Sequence, residues 1–165
     1  YARDMFLFSF YTRGMSFIDM AYLKKSDLKN GIITYRRRKT GQQLTVKWEK
    51  CMEDIIAKYG ENTATRYLLP IITNPCSDER TQYRNAICRI NVALKEVAGL
   101  AGLNIPLTMH VARHCWASVA KSKNIPLSVI SEGMGHDSEE TTRIYLASLD
   151  TSVVDKANSL ILKDF

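Results

Sequence analysis

Apolar and aromatic side chains crowd residues 3 to 12, where Met5, Phe6, Leu7, Phe8, Phe10 and Tyr11 leave little polar surface. The pattern predicts a helix buried around most of its circumference. Phe17, Ile18, Met20, Ala21 and Leu23 continue as a second short helix, broken at Lys24-Lys25-Ser26-Asp27. The β-branched run 32–35, the turn Lys39-Thr40-Gly41 and the returning run 43–46 read as a hairpin. Helical spacing resumes over 48–59 and stops at Gly60. Residues 67–70 leave a short third strand open. Ser77 is placed to cap a long helix reaching about Leu100, ended by Gly99 and Gly102. Thr108 heads a helix carrying His110 and Arg113, and Pro126 opens another with Leu127, Val129 and Ile130 turned inward. Ser138 caps a small helix containing Tyr145, and a last helix is expected over 151–162. No repeat or long linker interrupts this order. The expected fold class is mainly α with a small antiparallel β-sheet (α+β), one domain over residues 1–165.

Composition adds bounds rather than identity. A chain of 165 residues, 45% hydrophobic and 24% charged, suits one globular domain with a core that needs no disulfides. Lys and Arg outnumber Asp and Glu by 23 to 17, for a net charge of +6, a balance shared by many proteins that bind no nucleic acid. The uninterrupted run Arg36-Arg37-Arg38-Lys39 tips the reading toward a phosphate backbone. Cys51, Cys76, Cys88 and Cys115 form no C-x-x-C pair and have no histidine at ligand spacing, which argues against a zinc site or a disulfide framework. Reduced thiols in a cytoplasmic protein are the expectation. The stretch Met5-Phe6-Leu7-Phe8 is too short for a bilayer, and no signal-peptide pattern is present. The chain begins inside a helical pattern without Met, which reads as a domain of something longer.

Candidate chemistry gathers late in the sequence. Tyr145 follows the Gly135-His136 pair by nine residues, and His110-x-x-Arg113 lies upstream. A phenol, imidazoles and a guanidinium can cut a phosphodiester without a metal. Tyr145 can attack phosphorus, while Arg113 and the imidazoles hold oxygens as they gain charge. His110 and Arg113, three apart, share a helix face, and a guanidinium fork suits two phosphate oxygens. Val111, Ala112, Ala117 and Val119 around them read as buried, so Arg113 should have a strong partner. Gly135 allows the backbone near a substrate. Thr141, Thr142 and Arg143 suit a phosphate-facing surface. Each residue alone has a plainer reading: a tyrosine on an amphipathic helix, a histidine at a helix end, an arginine paired with a carboxylate, a solvated lysine.

Order and context change those odds. The segments Thr108-Met109-His110-Val111-Ala112-Arg113-His114-Cys115-Trp116-Ala117, Leu127 to His136, and Thr141-Thr142-Arg143-Ile144-Tyr145 resemble the tyrosine recombinase (phage-integrase-like) family. That family reads roughly H-x-x-R-H-x-F/W-A, then I-x-x-x-L-G-H, then T-x-x-Y, after a lysine in a β-turn. The resemblance implies the catalytic-domain fold of that family and these roles. Tyr145 is the nucleophile. His110 bonds the scissile phosphate and assists proton transfer, Arg113 binds non-bridging oxygens, and His136 donates to the transition state. Lys39 protonates the departing 5′ oxygen, and His114 is structural.

One position departs from the pattern. The family's first arginine closes a G-L/M-R triplet, but here Gly14-Met15 is followed by Ser16. Arg13, about a turn earlier, is the preferred substitute. Arg37 is the second, because strand alternation would place it on the face of Lys39. Some mobile-element integrases resemble this chain in lacking the same arginine, and Asp19 matches a carboxylate read as a structural partner.

The resemblance further implies integration and excision of a mobile element through a 3′-phosphotyrosine, with no cofactor and no metal. Implied partners are double-stranded DNA at attachment sites, contacted by Arg36, Arg37, Arg38, Thr40 and Arg143, with Lys121 and Lys123 on backbone phosphates. A homotetramer on DNA is implied, a monomer for the isolated domain, with accessory DNA-bending proteins, no membrane, and a bacterial, nucleoid-associated location. An N-terminal core-binding domain would complete a clamp. Residues 151–165 would dock on a neighbouring protomer or on their own core. The rivals are a type IB topoisomerase-like strand relaxer, a catalytically impaired DNA-binding relative, and a helical transcription regulator.

Overall fold

The computed structural model describes residues 1–60 and 64–147. Helix α1 (Ala2–Tyr11) buries Met5 and Phe8 completely and packs against three later helices, as its apolar circumference requires. After a tight turn comes α2 (Phe17–Ala21), with Ser16 as N-cap, its hydroxyl accepting from the Asp19 backbone N–H at 3.3 Å. A single 3₁₀ turn then leads into a three-stranded antiparallel sheet, β1 (Leu28–Lys29), β2 (Ile32–Arg36) and β3 (Gln43–Lys47), in the order β1-β2-β3. Ile33 and Tyr35 of β2 and Val46 of β3 face the core, while Ile32, Thr34 and Arg36 face outward. The third strand is therefore Leu28–Lys29. Residue Tyr67 makes only an isolated bridge to Lys24, so 67–70 is not that strand.

Helix α3 (Lys50–Ala57) starts after Trp48, later than the apolar pattern suggested. The long α4 (Glu79–Leu100) is capped by Asp78 rather than Ser77: the carboxylate accepts from the Thr81 backbone and hydroxyl, each at 2.7 Å. A carboxylate also complements the positive helix start. Ala86, Ile90, Leu94 and Ala98 recur every fourth position to form its buried stripe. Then follow α5 (Met109–Ser122), α6 (Leu127–Met134) and α7 (Glu139–Ala147). Ile130 is buried as expected, but Val129 of α6 and Val119 of α5 are exposed among the described residues. Ser138 caps α7, accepting from the Thr141 N–H at 3.2 Å. The helix expected over 151–162 lies outside the described residues.

The apolar interior is split. One large cluster joins α1, α2, the sheet, α3, α4 and the start of α5. A small second cluster, Ala117, Ala120, Ile130, Met134 and Leu146, holds α6 and α7 against the far part of α5, with Trp116, Leu127 and Tyr145 packed on it. Helix α5 joins the two, with Met109 in the first cluster and Ala117 and Ala120 in the second.

Candidate active site

Arg113 leaves the middle of α5 with its side chain buried. It passes Gly14, where an added Cβ would stand 2.7 Å from its Cγ and 2.8 Å from its Cα. The residue must be glycine for that approach, and its φ of +74° needs glycine as well. The guanidinium donates from Nη1 to the Gly14 carbonyl at 2.9 Å and from Nη2 to the Met134 carbonyl at 2.6 Å. Nη2 also meets His136 Nε2 at 3.1 Å. A guanidinium can only donate, so Nε2 is the acceptor and the imidazole proton sits on Nδ1, directed at Thr142 Oγ1 at 2.7 Å. Burial, then the Arg113 and Arg37 charges, push the His136 pKa down to about 4. In this arrangement His136 is neutral.

Helix α6 ends in a Schellman motif. Gly135 adopts φ +64°, its N–H bonds the Glu132 carbonyl at 3.0 Å, and His136 N–H bonds the Ser131 carbonyl at 3.0 Å. The carbonyls of Met134 and Gly135 remain at the negative end of the helix. Arg113 takes the first and Arg37 Nη1 donates to the second. Arg37 is buried, continuing the inward alternation of Ile33 and Tyr35 one step past the end of β2. Lys39 is exposed. The expectation that alternation puts Arg37 and Lys39 on one face is thus corrected: the strand stops at Arg36 and a turn re-aims the residues beyond it, closed by Gly41 N–H to the Arg37 carbonyl at 2.7 Å.

Two buried guanidiniums therefore stand together, held by backbone carbonyls and paired with no carboxylate among the described residues. Burial, followed by Arg37, lowers the Arg113 pKa, while Tyr145, Tyr35 and Asp19 oppose the shift. Such a pair is short of negative charge and suits an anion. Of the two substitutes for the missing arginine, Arg37 acts directly on Arg113 and His136. Arg13 is half-buried at φ +61°, with its Cδ 3.6 Å from where a Gly133 Cβ would stand. Ser16 lines a cleft of about 410 Å³ shared with His110 and Arg113. Its hydroxyl is engaged with Asp19, donating to Oδ2 at 2.6 Å. Asp19 Oδ1 in turn accepts the Arg38 backbone N–H at 2.8 Å, tying the hairpin turn to the start of α2.

Tyr145 lies half-buried between two imidazoles. His114 stacks on its face, with centroids 5.0 Å apart and planes 11° from parallel, and His136 presents an edge at 5.6 Å and 71°. Burial pushes the phenol pKa up to about 12, with Arg113 acting to lower it. His110 is exposed and set edge-on to His114 at 4.4 Å. Burial and then the Arg113 and Lys39 charges lower its pKa. Lys39 lies close enough to act on both His110 and His136.

The other expected contacts divide. Arg36 and Thr40 are exposed on the hairpin, Arg36 donating to the Gly41 carbonyl at 3.1 Å, and Arg38 lies over the Tyr22 ring at 4.0 Å. Arg143 is exposed and pairs with Glu140 at 3.6 Å. Thr142 is fully buried beneath His136, so it is not part of a phosphate-facing surface. Among the described residues no helix is long and apolar enough to cross a membrane, and no three His, Cys, Asp or Glu cluster as metal ligands do.

A model of the phage integrase family matches residues 2–152, and the chain belongs to that family. Its fold is that of tyrosine recombinase catalytic domains. The crystal structure of XerA recombinase is similar over 96% of this chain and 60% of that one, with a TM-score of 0.65 and 20% identity. XerH recombinase bound to a palindromic difH substrate, in a post-cleavage complex, gives 0.66 and 21% over 96% of this chain and 45% of that one. A lambda integrase(75-356) dimer bound to a COC' core site gives 0.61 and 19%, covering 88% of this chain and 51% of that one. The chain thus spans roughly half the length of these proteins, between 45% and 60%. No curated protein sequence matches it significantly.

Proposed function

We propose that this chain is the catalytic domain of a site-specific DNA recombinase that integrates and excises a mobile element. Tyr145 Oη attacks a DNA phosphorus, giving its phenol proton to His110 as the 3′-phosphotyrosine forms and the bond to the 5′ oxygen breaks, and Lys39 Nζ gives a proton to that departing oxygen. A 5′ hydroxyl of a partner strand then reverses the exchange. One phosphodiester replaces another, so the reaction needs no external energy source. The domain's task is alignment and stabilisation of charge at pentacovalent phosphorus. Arg113 and Arg37 grip non-bridging oxygens, with Arg37 in the role left open at Ser16, and His110 and His136 complete the donor set. His136 now accepts from Arg113. To donate to phosphate it must gain a proton or change tautomer, and the negative substrate favours the gain.

The observation that carries this reading is the pair of buried guanidiniums held by carbonyls, of which Arg113 acts on the half-buried Tyr145. The exposed hairpin residues Arg36, Thr40 and Lys39 track the duplex backbone, which positions without specifying sequence. Duplex attachment sites, a homotetramer on DNA, an N-terminal core-binding domain and a bacterial cytoplasmic setting complete the proposal. The test is trapping on a nicked suicide duplex. The intact protein forms a covalent adduct, whereas Tyr145→Phe binds the same DNA and forms none. An adduct that persists in Tyr145→Phe refutes the assignment. Binding without any adduct in the unmutated protein supports instead a DNA-binding relative that has lost catalysis.

A further inference from the structure

We propose that His114 is a positioning residue for the nucleophile, holding the Tyr145 ring by face-to-face stacking and so fixing the phenol relative to Arg113 on the same helix. This rests on the reading of Tyr145 as the nucleophile. The stack is close to parallel, at 5.0 Å and 11°. His114 is in turn in contact with His110, one helical turn earlier on α5, whose ring meets it at 4.4 Å and 87°. The three rings form a ladder from the exposed edge of α5 to the interior side of α7.

The geometry separates holding from proton transfer. The lone pair and N–H of an imidazole lie in its own plane, and that plane runs parallel to the phenol ring. Neither ring nitrogen of His114 is therefore directed at Oη. Its Nδ1 is buried with no hydrogen-bond partner among the described residues. A buried polar nitrogen left this way carries a cost that a plain aromatic ring would avoid.

The second wall of the slot is different in kind. His136 meets the phenol edge-on and is anchored by Thr142, one turn before Tyr145 on the same helix. His136 thus bridges α7, through Thr142, and Arg113 of α5, through Nε2, whereas His114 belongs to α5 itself and touches the phenol by its face. Tyr145 packs on the smaller of the two apolar clusters. A ring–ring contact to α5 thus sets its distance from the guanidinium where apolar packing is least extensive.

The experiment compares His114→Leu, which removes the flat face, with His114→Phe, which keeps it and discards both nitrogens. Adduct formation by the intact protein is measured in a single turnover at saturating nicked duplex, beside DNA affinity and thermal stability. His114→Leu is expected to slow adduct formation about tenfold to a hundredfold, as misplacement of a reacting group does, with affinity unchanged. His114→Phe is expected to restore most of the rate. In a second arm, 3-fluorotyrosine at position 145 reports ring stacking by its fluorine shift, which should be shared by the parent and His114→Phe and lost in His114→Leu.

A Phe variant as slow as the Leu variant overturns the proposal, because it makes the nitrogens the essential feature. A Leu variant as fast as the parent, or one whose fluorine shift does not move, overturns it as well. These outcomes leave the nucleophile assignment standing. Failure of the unmutated protein to form any adduct removes that assignment, and with it this proposal.

Discussion

Replacing Arg37 by methionine keeps the aliphatic stem beside Leu44 and Gly135 and deletes the charge. If Arg37 stands in for the arginine absent at Ser16, the variant loses one donor aimed at phosphate in a water-excluded site. Such a loss is worth about 2.7–4 kcal/mol, or roughly 10²–10³-fold in rate. The fold should respond differently. Arg37 donates to the Gly135 carbonyl, a charge-assisted bond worth about 1.5–3 kcal/mol. Its removal also relieves repulsion with Arg113 and ends the burial of a second cation, so the drop in stability should be smaller than that bond alone suggests. A third readout is independent of DNA: the His136 pKa should rise, since Arg37 is one of the charges holding it down. The assays are single-turnover adduct formation, thermal denaturation and a histidine NMR titration, with Arg13→Met in parallel. Loss of no more than about threefold in Arg37→Met, with a large loss in Arg13→Met, would show that the wrong guanidinium had been assigned.

Acid should weaken the fold before its carboxylates titrate. His136 has a folded pKa of about 4 against an ordinary 6.5, so the unfolded chain binds the proton first. The stabilisation is complete above about 6.5 and is lost as pH falls from there toward 4, with His110 and His114 shifted in the same direction. Thermal melts across that window should decline, and the decline should be shallower in His136→Asn; a flat profile in the parent contradicts the argument. Gly14→Ala and Gly31→Ala form a second pair. Both glycines have positive φ, +74° and +73°, but an added Cβ meets Arg113 at Gly14 and nothing within 4 Å at Gly31. Each should lose about 1–2 kcal/mol to backbone strain, and Gly14→Ala about 1–3 kcal/mol more to overpacking, read from chemical denaturation. Equal losses would mean that the contact with Arg113 costs nothing.

Periodicity reveals α1, α2, the β2–β3 hairpin, α4 and α5, because each is long enough or patterned enough to declare its buried face. The strand Leu28–Lys29 escapes it because two residues carry no alternation. Val129 looks inward from sequence because the eight-residue α6 offers few positions from which to fix the phase of a face, and Val119 because an apolar residue type does not by itself put a side chain on the buried face of α5. Order and spacing single out Tyr145, His110, Arg113 and His136, and the fold brings these side chains together. Arg37 ranks second to Arg13 on sequence because a basic run in a hairpin resembles a solvated surface. Its burial depends on a carbonyl 98 residues away, at Gly135. The support of His136 by Thr142 and the stack of His114 on Tyr145 also join residues that no local pattern connects.

The tether between Asp19 and the Arg38 backbone has a mechanical consequence. It pins the loop one residue ahead of Lys39, so the ammonium sits on a short arm hung from a fixed pivot. In the proposed reaction, such an arm can move toward a bound phosphate and withdraw while Arg113, Arg37 and His136 stay in place. On the proposed reading, the leaving oxygen can receive its proton late, from a group that need not be seated when phosphate first binds. Timing of the two halves of the exchange would then be governed by one flexible side chain rather than by rearrangement of the pocket.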